Sequence, residues 1–216
     1  MKKYFIKTPW WLKKIYSRYT WSLPTSEKIL YLTFDDGPHA TVTPFVLDTL
    51  QQYQAKATFF CIGKNVAEQH AVYKRILEEG HAVGNHTHNH YNGWKTDDQV
   101  YINNILEAAK WIDSHLFRPP YGRISGFQAK NLQQLSLNKS TQKTSIIMWD
   151  VLSADFDTTI SGEDCLKHVI GKATKGSIIV FHDSEKAFPR LQYALPKTLA
   201  YFSEQGYSFR AITKVS

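Results

Sequence analysis

The sequence "ILYLTF" at residues 29–34 runs directly into "DDGPH" at residues 35–39. An apolar run of this length is typical of a strand buried on both faces of a parallel sheet. The Gly-Pro pair that follows ends any regular structure. Asp35 and Asp36 therefore stand side by side at the end of a strand. A turn accounts for at most one of these two acids, so the second one requires another explanation.

Strand-like runs alternate with helical patterns along most of the chain. We predict strands at residues 29–34, 56–63, 81–86, 144–150, 176–183 and 207–212, and helices at 41–53, 70–80, 96–116, 162–172 and 189–204. Apolar strands separated by helices predict an α/β fold with a parallel sheet covered by helices. The number of units in a single domain favours a closed or nearly closed (β/α) barrel, in which functional residues lie at the carboxyl ends of the strands. An open doubly wound sheet is the alternative, but no glycine-rich phosphate-binding turn follows the first strand.

The composition is that of a soluble globular protein. The chain has 216 residues, of which 43% are hydrophobic and 21% charged, and no apolar run is long enough for a membrane span. Of the net charge of +7, residues 1–26 contribute +6, from six basic residues and no acid. Basic residues confined to one terminus argue against a nucleic-acid partner, which would require a basic site across the fold.

Residues 1–27, here called the N-terminal segment, are rich in aromatic residues as well as in lysine. We predict that they pack on one end of the barrel, while residues 28–216 form the catalytic domain. Peripheral contact of residues 1–26 with an anionic membrane surface is the alternative. Lysines interrupt every apolar run of the segment, so no export signal is recognisable and a cytoplasmic location is expected. Cys61 and Cys165 lie far apart in the sequence, and we interpret them as two buried thiols rather than as a disulfide.

Three histidines lie within "GNHTHNH" at residues 84–90. His86 and His90 are four residues apart, a spacing that brings both rings to one side of a helical turn, where they can share a metal ion. Two histidines and one carboxylate form a common catalytic metal site. We therefore predict that one acid of the Asp35–Asp36 pair binds the metal, while the other takes a proton from the attacking water.

Further polar residues follow other predicted strands. Arg118, in "FRPPYG" at residues 117–122, would hold a neighbouring general base in its ionised form. The stretch "MWDVLSADF" at residues 148–156 contributes acidic side chains after a strand. His182, which ends the strand "IIVFHD", would protonate a leaving group if a carboxylate raised its pKa.

Five short motifs, in this order along the chain, resemble those of the polysaccharide deacetylase family, carbohydrate esterase family four, whose catalytic unit is the NodB-homology domain. They are "TFDDGP", "HTHNH", "RPPYG", "WDVLSADF" and "VFHD". The resemblance covers roughly residues 28–213. The fourth motif departs from the family pattern, because Phe156 stands where tryptophan is usual and Leu152 where aspartate is frequent. In the fifth motif Val180 replaces leucine.

The resemblance implies a distorted (β/α) barrel and metal-dependent removal of acetyl groups from N-acetylglucosamine-containing chains, either chitin-like or peptidoglycan-like. The metal ligands would be Asp36, His86 and His90, and the ion would be divalent, Zn²⁺ in the first place and otherwise Co²⁺ or Ni²⁺. The catalytic residues carried over are Asp35 as general base, Arg118 as its partner, the Tyr121 backbone N–H as oxyanion donor, His182 as general acid and Asp155 as the group that tunes it.

Two other function classes stay open at this point. The same fold and metal site would also serve an O-acetyl sugar esterase or a cyclic-amide hydrolase, since the motifs do not distinguish esters from amides. A non-catalytic carbohydrate-binding protein would be expected to lack a base, an acid or a ligand, and the chain has all three. The partner expected in either enzymatic case is an acetylated sugar chain.

Overall fold

The computed structural model describes residues 4–137 and 142–213. Eight strands are found in these ranges: β1 (Ile29–Asp35), β2 (Thr58–Cys61), β3 (Ala82–Asn85), β4 (Leu116–Phe117), β5 (Ser145–Ile146), β6 (Val151–Leu152), β7 (Ile178–His182) and β8 (Ser208–Phe209). The α-helices are α1 (Trp10–Ile15), α2 (Val42–Gln52), α3 (Gly63–Glu68), α4 (His70–Glu78), α5 (Asp98–Ala109), α6 (Gly126–Leu132), α7 (Gly162–Ile170) and α8 (Phe188–Glu204), and a 3₁₀ turn covers Pro120–Gly122.

The strands pair in the order β5-β4-β3-β2-β1-β7-β6, with β8 added to the start of β1. Neighbouring strands in this order are parallel, and the register places Asp35 beside both Phe60 and His182. This arrangement confirms the predicted α/β class and the distorted barrel. β5 and β6 are the two edge strands of the sheet.

Alternate residues of the strands enter different clusters of the core. Phe34 and Phe59 stack with ring centroids 5.1 Å apart and pack beneath the helices, in a cluster that also holds Leu47 of α2 and Leu195 of α8. Phe60, the next residue of β2, belongs instead to a separate cluster of buried side chains. Burial on both faces explains why the strands are apolar without interruption.

The N-terminal segment pairs with the chain between the two sheet edges. The N–H of Thr20 donates to the carbonyl of Ile146, in β5, at 2.9 Å, and the N–H of Leu152, in β6, donates to the carbonyl of Ile6 at 2.9 Å. These bonds satisfy backbone groups that a bare sheet edge would expose. The division of the chain into residues 1–27 and a catalytic domain of residues 28–216 stays a prediction.

Some elements differ from the sequence-based expectation. The helix predicted over residues 96–116 ends at Ala109, because residues 116–117 pair with β3 and β5 as a strand. Of the strand predicted over 144–150 only β5, Ser145–Ile146, is present, and β6 begins after that range at Val151, since the N–H of Met148 donates instead to the carbonyl of Thr20. Pairing with distant residues thus overrides local propensity in both places.

Three short helices, α1, α3 and α6, were not expected. Only α6 carries a recognisable start signal, a capping box in which Ser125 and Gln128 bond each other's backbone N–H. Both cysteines are buried free thiols, as predicted. Among the described residues, no helix has the length and the apolar character needed to cross a bilayer.

Candidate active site

Asp36, His86 and His90 converge at the carboxyl ends of β1 and β3. The Nε2 atoms of His86 and His90 lie 3.7 and 3.2 Å from Oδ1 of Asp36. One potential ligand atom from each of the three residues lies within 4.8 Å of the other two. Two imidazole nitrogens and one carboxylate oxygen directed at a common point fit a divalent transition metal ion such as zinc.

The environment of His86 prepares it to be a ligand. Its Nδ1 lies 2.7 Å from the carbonyl oxygen of Arg118, an arrangement in which Nδ1–H donates and Nε2 keeps a free lone pair. Burial lowers the pKa of His86 to about 4, so the ring is neutral at pH 7. Burial by itself would raise the pKa of Asp36, but the hydrogen bond from His90 and the charges of the surrounding histidines lower it overall.

The loop carrying the two histidines is not a helical turn, so this part of the sequence interpretation was wrong. Residues 86–90 follow β3 as an irregular loop, in which Thr87 and His90 have φ values of 65° and 56°. Asp36 likewise has a φ of 81°. The left-handed conformation costs a non-glycine residue about 1–2 kcal/mol, and such residues cluster at functional sites. Here it turns the ligands toward one point.

Asp35 is held by a fully buried arginine. Nη1 of Arg118 donates to Oδ1 of Asp35 at 2.7 Å. The rest of the guanidinium donates to Thr33 Oγ1 and to the carbonyls of Ile147 and Met148 at distances of 2.7 to 3.2 Å. These bonds hold the guanidinium in one position, so it binds Oδ1 of Asp35 and leaves Oδ2 free to act in the active site.

His182 and Asp155 form a second pair on the opposite side of the site. Nδ1 of His182 lies 2.7 Å from Oδ1 of Asp155, and the backbone N–H of His182 donates to Oδ2 at 2.8 Å. Burial would lower the pKa of His182, but the charge and hydrogen bond of Asp155 dominate and raise it to about 9. The ring is therefore protonated at pH 7 and able to donate from Nε2.

These groups line one cavity of about 440 Å³, here called the catalytic pocket. Tyr121 lines it as well, with a φ of 60° and its ring centroid 4.7 Å from that of His90. All the predicted site residues therefore meet at one place: Arg118 lies behind Asp35, and Asp155 behind His182. Asp150, from the same stretch as Asp155, lies elsewhere and binds Lys7 and Ser177.

Several contributors were not predicted from the sequence. Asp183 is buried and holds the turn after Asp36, accepting from the Gly37 N–H at 3.0 Å and from the Thr43 hydroxyl at 2.5 Å. Phe156, which stands where tryptophan is usual in the fourth motif, packs edge-on against the ring of Tyr4 with centroids 5.4 Å apart. Phe156 in turn packs against His182. The adjacency of Asp183 to His182 was visible in the sequence, whereas nothing local marked Tyr4.

Comparison with known proteins agrees with this geometry. Residues 22–139, more than half of the chain, match the family model for polysaccharide deacetylase. The chain is 36% identical over 202 residues to a peptidoglycan-N-acetylglucosamine deacetylase of Bacillus cereus, covering 91% of this chain and 92% of that protein. It is 35% identical over 196 residues to the peptidoglycan-N-acetylglucosamine deacetylase PgdA of Listeria monocytogenes, covering 88% of this chain but only 39% of PgdA.

A solved structure is also similar over nearly the whole chain. It is that of the Bc1960 peptidoglycan N-acetylglucosamine deacetylase in complex with 4-naphthalen-1-yl-N-oxidanyl-benzamide. The TM-score is 0.82 with 30% sequence identity, and the match covers 95% of each chain. The likeness therefore extends beyond the barrel to at least part of the N-terminal segment.

Proposed function

Since the chain belongs to the polysaccharide deacetylase family, we propose that it removes N-acetyl groups from N-acetylglucosamine residues of a peptidoglycan-like chain. The predicted family, fold and enzyme class, a hydrolase of amide bonds, are confirmed. The choice of peptidoglycan follows the relatives named above, and the proposed reaction rests on one observation above all. A three-residue metal site, an arginine-held carboxylate and a protonated histidine face each other across a single pocket.

The donor set supports a divalent metal ion held by Asp36, His86 and His90, with Zn²⁺ proposed as the ion. Such an ion supplies a Lewis acid that polarises the acetyl carbonyl and acidifies water. The chain's own residues then divide the proton transfers between them. Asp35 accepts the proton of the attacking water, and Arg118 keeps that carboxylate ionised and oriented.

His182 supplies the second proton. Its pKa of about 9 keeps Nε2 protonated at neutral pH, so it can donate to the departing sugar amine. Asp155 stabilises the charged ring and fixes its orientation from the far side. The backbone N–H of Tyr121 is proposed to donate to the oxygen on which negative charge develops, a contribution of about 3 kcal/mol for such a donor.

The test is acetate release from chitotetraose and from isolated peptidoglycan by the purified protein. The protein is first stripped with a chelator and then reloaded with Zn²⁺, Co²⁺ or Ni²⁺. We expect release that depends on the metal. Acetylated xylan and a cyclic amide serve as comparison substrates. Faster turnover of either one would replace the proposal by the esterase or cyclic-amide alternative, and metal binding without any turnover would favour a carbohydrate-binding role.

The cytoplasmic location and the contact of the N-terminal segment with a membrane surface remain predictions. In favour of the contact, Phe5, Trp10, Trp11 and Ile15 are all exposed beside basic side chains. Co-sedimentation with vesicles of anionic or of zwitterionic lipid tests the contact. We expect binding to the anionic vesicles alone and its loss in the Trp10→Ala/Trp11→Ala variant. Fractionation of the host cell tests the location.

A further inference from the structure

The peptide bond between Asp36 and Gly37 is held by two side chains from different parts of the chain. Its carbonyl oxygen, on Asp36, accepts from the side-chain amide of Asn65 at 2.7 Å. Its N–H, on Gly37, donates to Oδ1 of Asp183 at 3.0 Å. Asn65 lies in α3, and Asp183 directly follows β7. We call this arrangement the peptide clamp, because the planar peptide cannot rotate without breaking one of the two hydrogen bonds.

The peptide clamp acts on the residue whose backbone conformation is the least favourable at the metal site. Asp36 has a φ of 81°, a conformation that persists in a non-glycine residue only where the surrounding structure enforces it. The chain before Asp36 is fixed, because Asp35 is the last residue of β1. The peptide after Asp36 is fixed by the clamp. Together these restraints keep Oδ1 of Asp36 at 3.2 Å from Nε2 of His90.

Asp183 is built into this turn. The residue has no exposed surface, Oδ2 accepts from the Thr43 hydroxyl at 2.5 Å, and its N–H donates to the carbonyl of Asp35 at 3.0 Å. A Cβ atom on Gly37 would lie 2.0 Å from Oδ2, so the carboxylate packs on the turn at a distance that only glycine allows. Among the described residues, no basic side chain forms an ion pair with it. Burying a carboxylate without a cation is costly, so the hydrogen bonds to this turn are what keep it in place.

We propose that Asn65 and Asp183 are positioning residues for the metal ligand Asp36, and that the peptide clamp sets the affinity of the site for its ion. The inference rests on the metal site of the proposed function. Neither residue belongs to the group of three that could hold the ion. Groups that orient a ligand from outside the coordination sphere typically contribute about 10–100-fold in metal affinity. The clamp therefore acts on the ion through the direction of Asp36.

The test measures the affinity of the chelator-stripped protein for Zn²⁺ by competition with a chromogenic chelator, which requires no turnover. We expect Asn65→Ala and Asp183→Ala each to weaken Zn²⁺ binding about 10–100-fold. Asp183→Asn keeps an acceptor for the Gly37 N–H and should lose much less affinity than Asp183→Ala. An equal loss in the two Asp183 variants would mean that this residue acts through its charge, and would overturn the proposal.

A double-mutant cycle tests whether the two side chains act on the same peptide. Once one bond is removed, the peptide plane can rotate, and the other bond then contributes less. We expect the loss of Zn²⁺ affinity in Asn65→Ala/Asp183→Ala to be smaller than the product of the two single losses. Losses that multiply would show that the two residues act independently, and would contradict a clamp.

Two variants serve as controls. Glu68→Gln changes an exposed residue of the same helix as Asn65, which pairs with Lys64. Asp150→Asn changes a buried carboxylate that binds Lys7 and Lys13 instead of the turn after Asp36. Both should keep the wild-type affinity for Zn²⁺. A loss in Asp150→Asn as large as that in Asn65→Ala would mean that lower stability alone weakens the site, and would overturn the proposal.

The same measurement separates this inference from the proposed function. A wild-type protein that binds neither Zn²⁺, Co²⁺ nor Ni²⁺ would overturn the proposed metal site, and this inference with it. Wild-type binding with unchanged affinity in Asn65→Ala would overturn the inference alone. Asn65 is only half-buried, so this variant decides the outcome even if Asp183→Ala fails to fold. Thermal unfolding of each stripped variant shows which of them are folded.

Discussion

Asp35 in the catalytic pocket and Asp150 beneath the N-terminal segment are both buried carboxylates with basic partners. The partner of Asp35 is an arginine with no exposed side-chain surface, whereas Lys7 and Lys13 keep 36% and 25% of their side-chain surface in solvent. The first pair orients a reacting oxygen with a rigid cation. The second pair attaches the N-terminal segment to the barrel with cations that stay partly in solvent.

This difference separates what the two regions do. The catalytic pocket performs the chemistry with groups immobilised by the barrel itself. The N-terminal segment covers the barrel beside that pocket, and its position depends on the attachment of Lys7 and Lys13 to Asp150. Changes in the first region should therefore act on the rate of the chemical step, and changes in the second on stability.

The largest effect is expected from removal of a metal ligand. His90→Ala should lose stoichiometric metal and lower the activity to background, since it removes one of the three ligands proposed among the described residues. His88→Gln is the matched control two residues away, outside the ligand group, and should keep both metal and activity. Metal analysis of the dialysed proteins, together with acetate release, checks this. Full metal content in His90→Ala would contradict the assigned site.

Asp35→Asn should retain the metal yet lose activity by about 10²–10⁴-fold in kcat, the usual contribution of a general base. The amide keeps the size of the side chain and the contact with Arg118, but it cannot accept the proton. Steady-state kinetics on metal-loaded protein measures the loss. Wild-type turnover in this variant would assign the base to another residue.

Asp155→Asn should shift the pH dependence of kcat. The reaction needs protonated His182, so activity falls as the pH rises through the pKa of about 9. Without the charge of Asp155, burial is no longer offset and the pKa of His182 decreases. The alkaline limb should then move down by about one to three pH units. A lower kcat with an unmoved alkaline limb would mean that Asp155 serves only to place the backbone of His182.

Asp150→Asn tests the N-terminal segment and should have the smallest effect on chemistry. Without the negative charge, Lys7 and Lys13 donate to a weaker acceptor. We expect the free energy of unfolding to fall by about 2 kcal/mol, which lowers Tm by about 4–8 °C. Asp48→Asn, which removes an exposed partner of Arg75, is the control and should change little. Thermal unfolding and limited proteolysis near residue 20 report the change. A loss of kcat on N-acetylglucosamine as large as that in Asp35→Asn would contradict the separation of the two regions.

The two regions also differed in how well the sequence predicted them. β1 and β7, which carry Asp35 and His182, are apolar runs, and the residues at their ends have types that chemistry restricts. The sequence therefore indicated Asp35, Asp36, His86 and His182 together. It did not indicate the left-handed backbone of residues 87 and 90, because that conformation is imposed by the loop rather than by local propensity.

The roles of Tyr4 and of the Asp150 cluster could not be predicted in the same way. Their partners lie more than a hundred residues away, and aromatic or lysine side chains occur in many surface segments. The same limit applies to β4, a strand of two residues that is defined only by its neighbours. A strand or contact that is determined by its distant partners, and not by its own sequence, can be recognised only once the structure is known.

The pairing of residues 6–20 with residues 146–152 has a consequence for biosynthesis. The ribosome makes the N-terminal segment first, but its backbone partners emerge only after more than a hundred further residues. Until then Trp21, which the folded protein buries in a cluster with Met148, has nothing to pack against, and an exposed aromatic side chain on a nascent chain invites chaperone binding or aggregation. We therefore expect closure of the two sheet edges by the segment to be a late folding event, governed by contacts of high sequence separation.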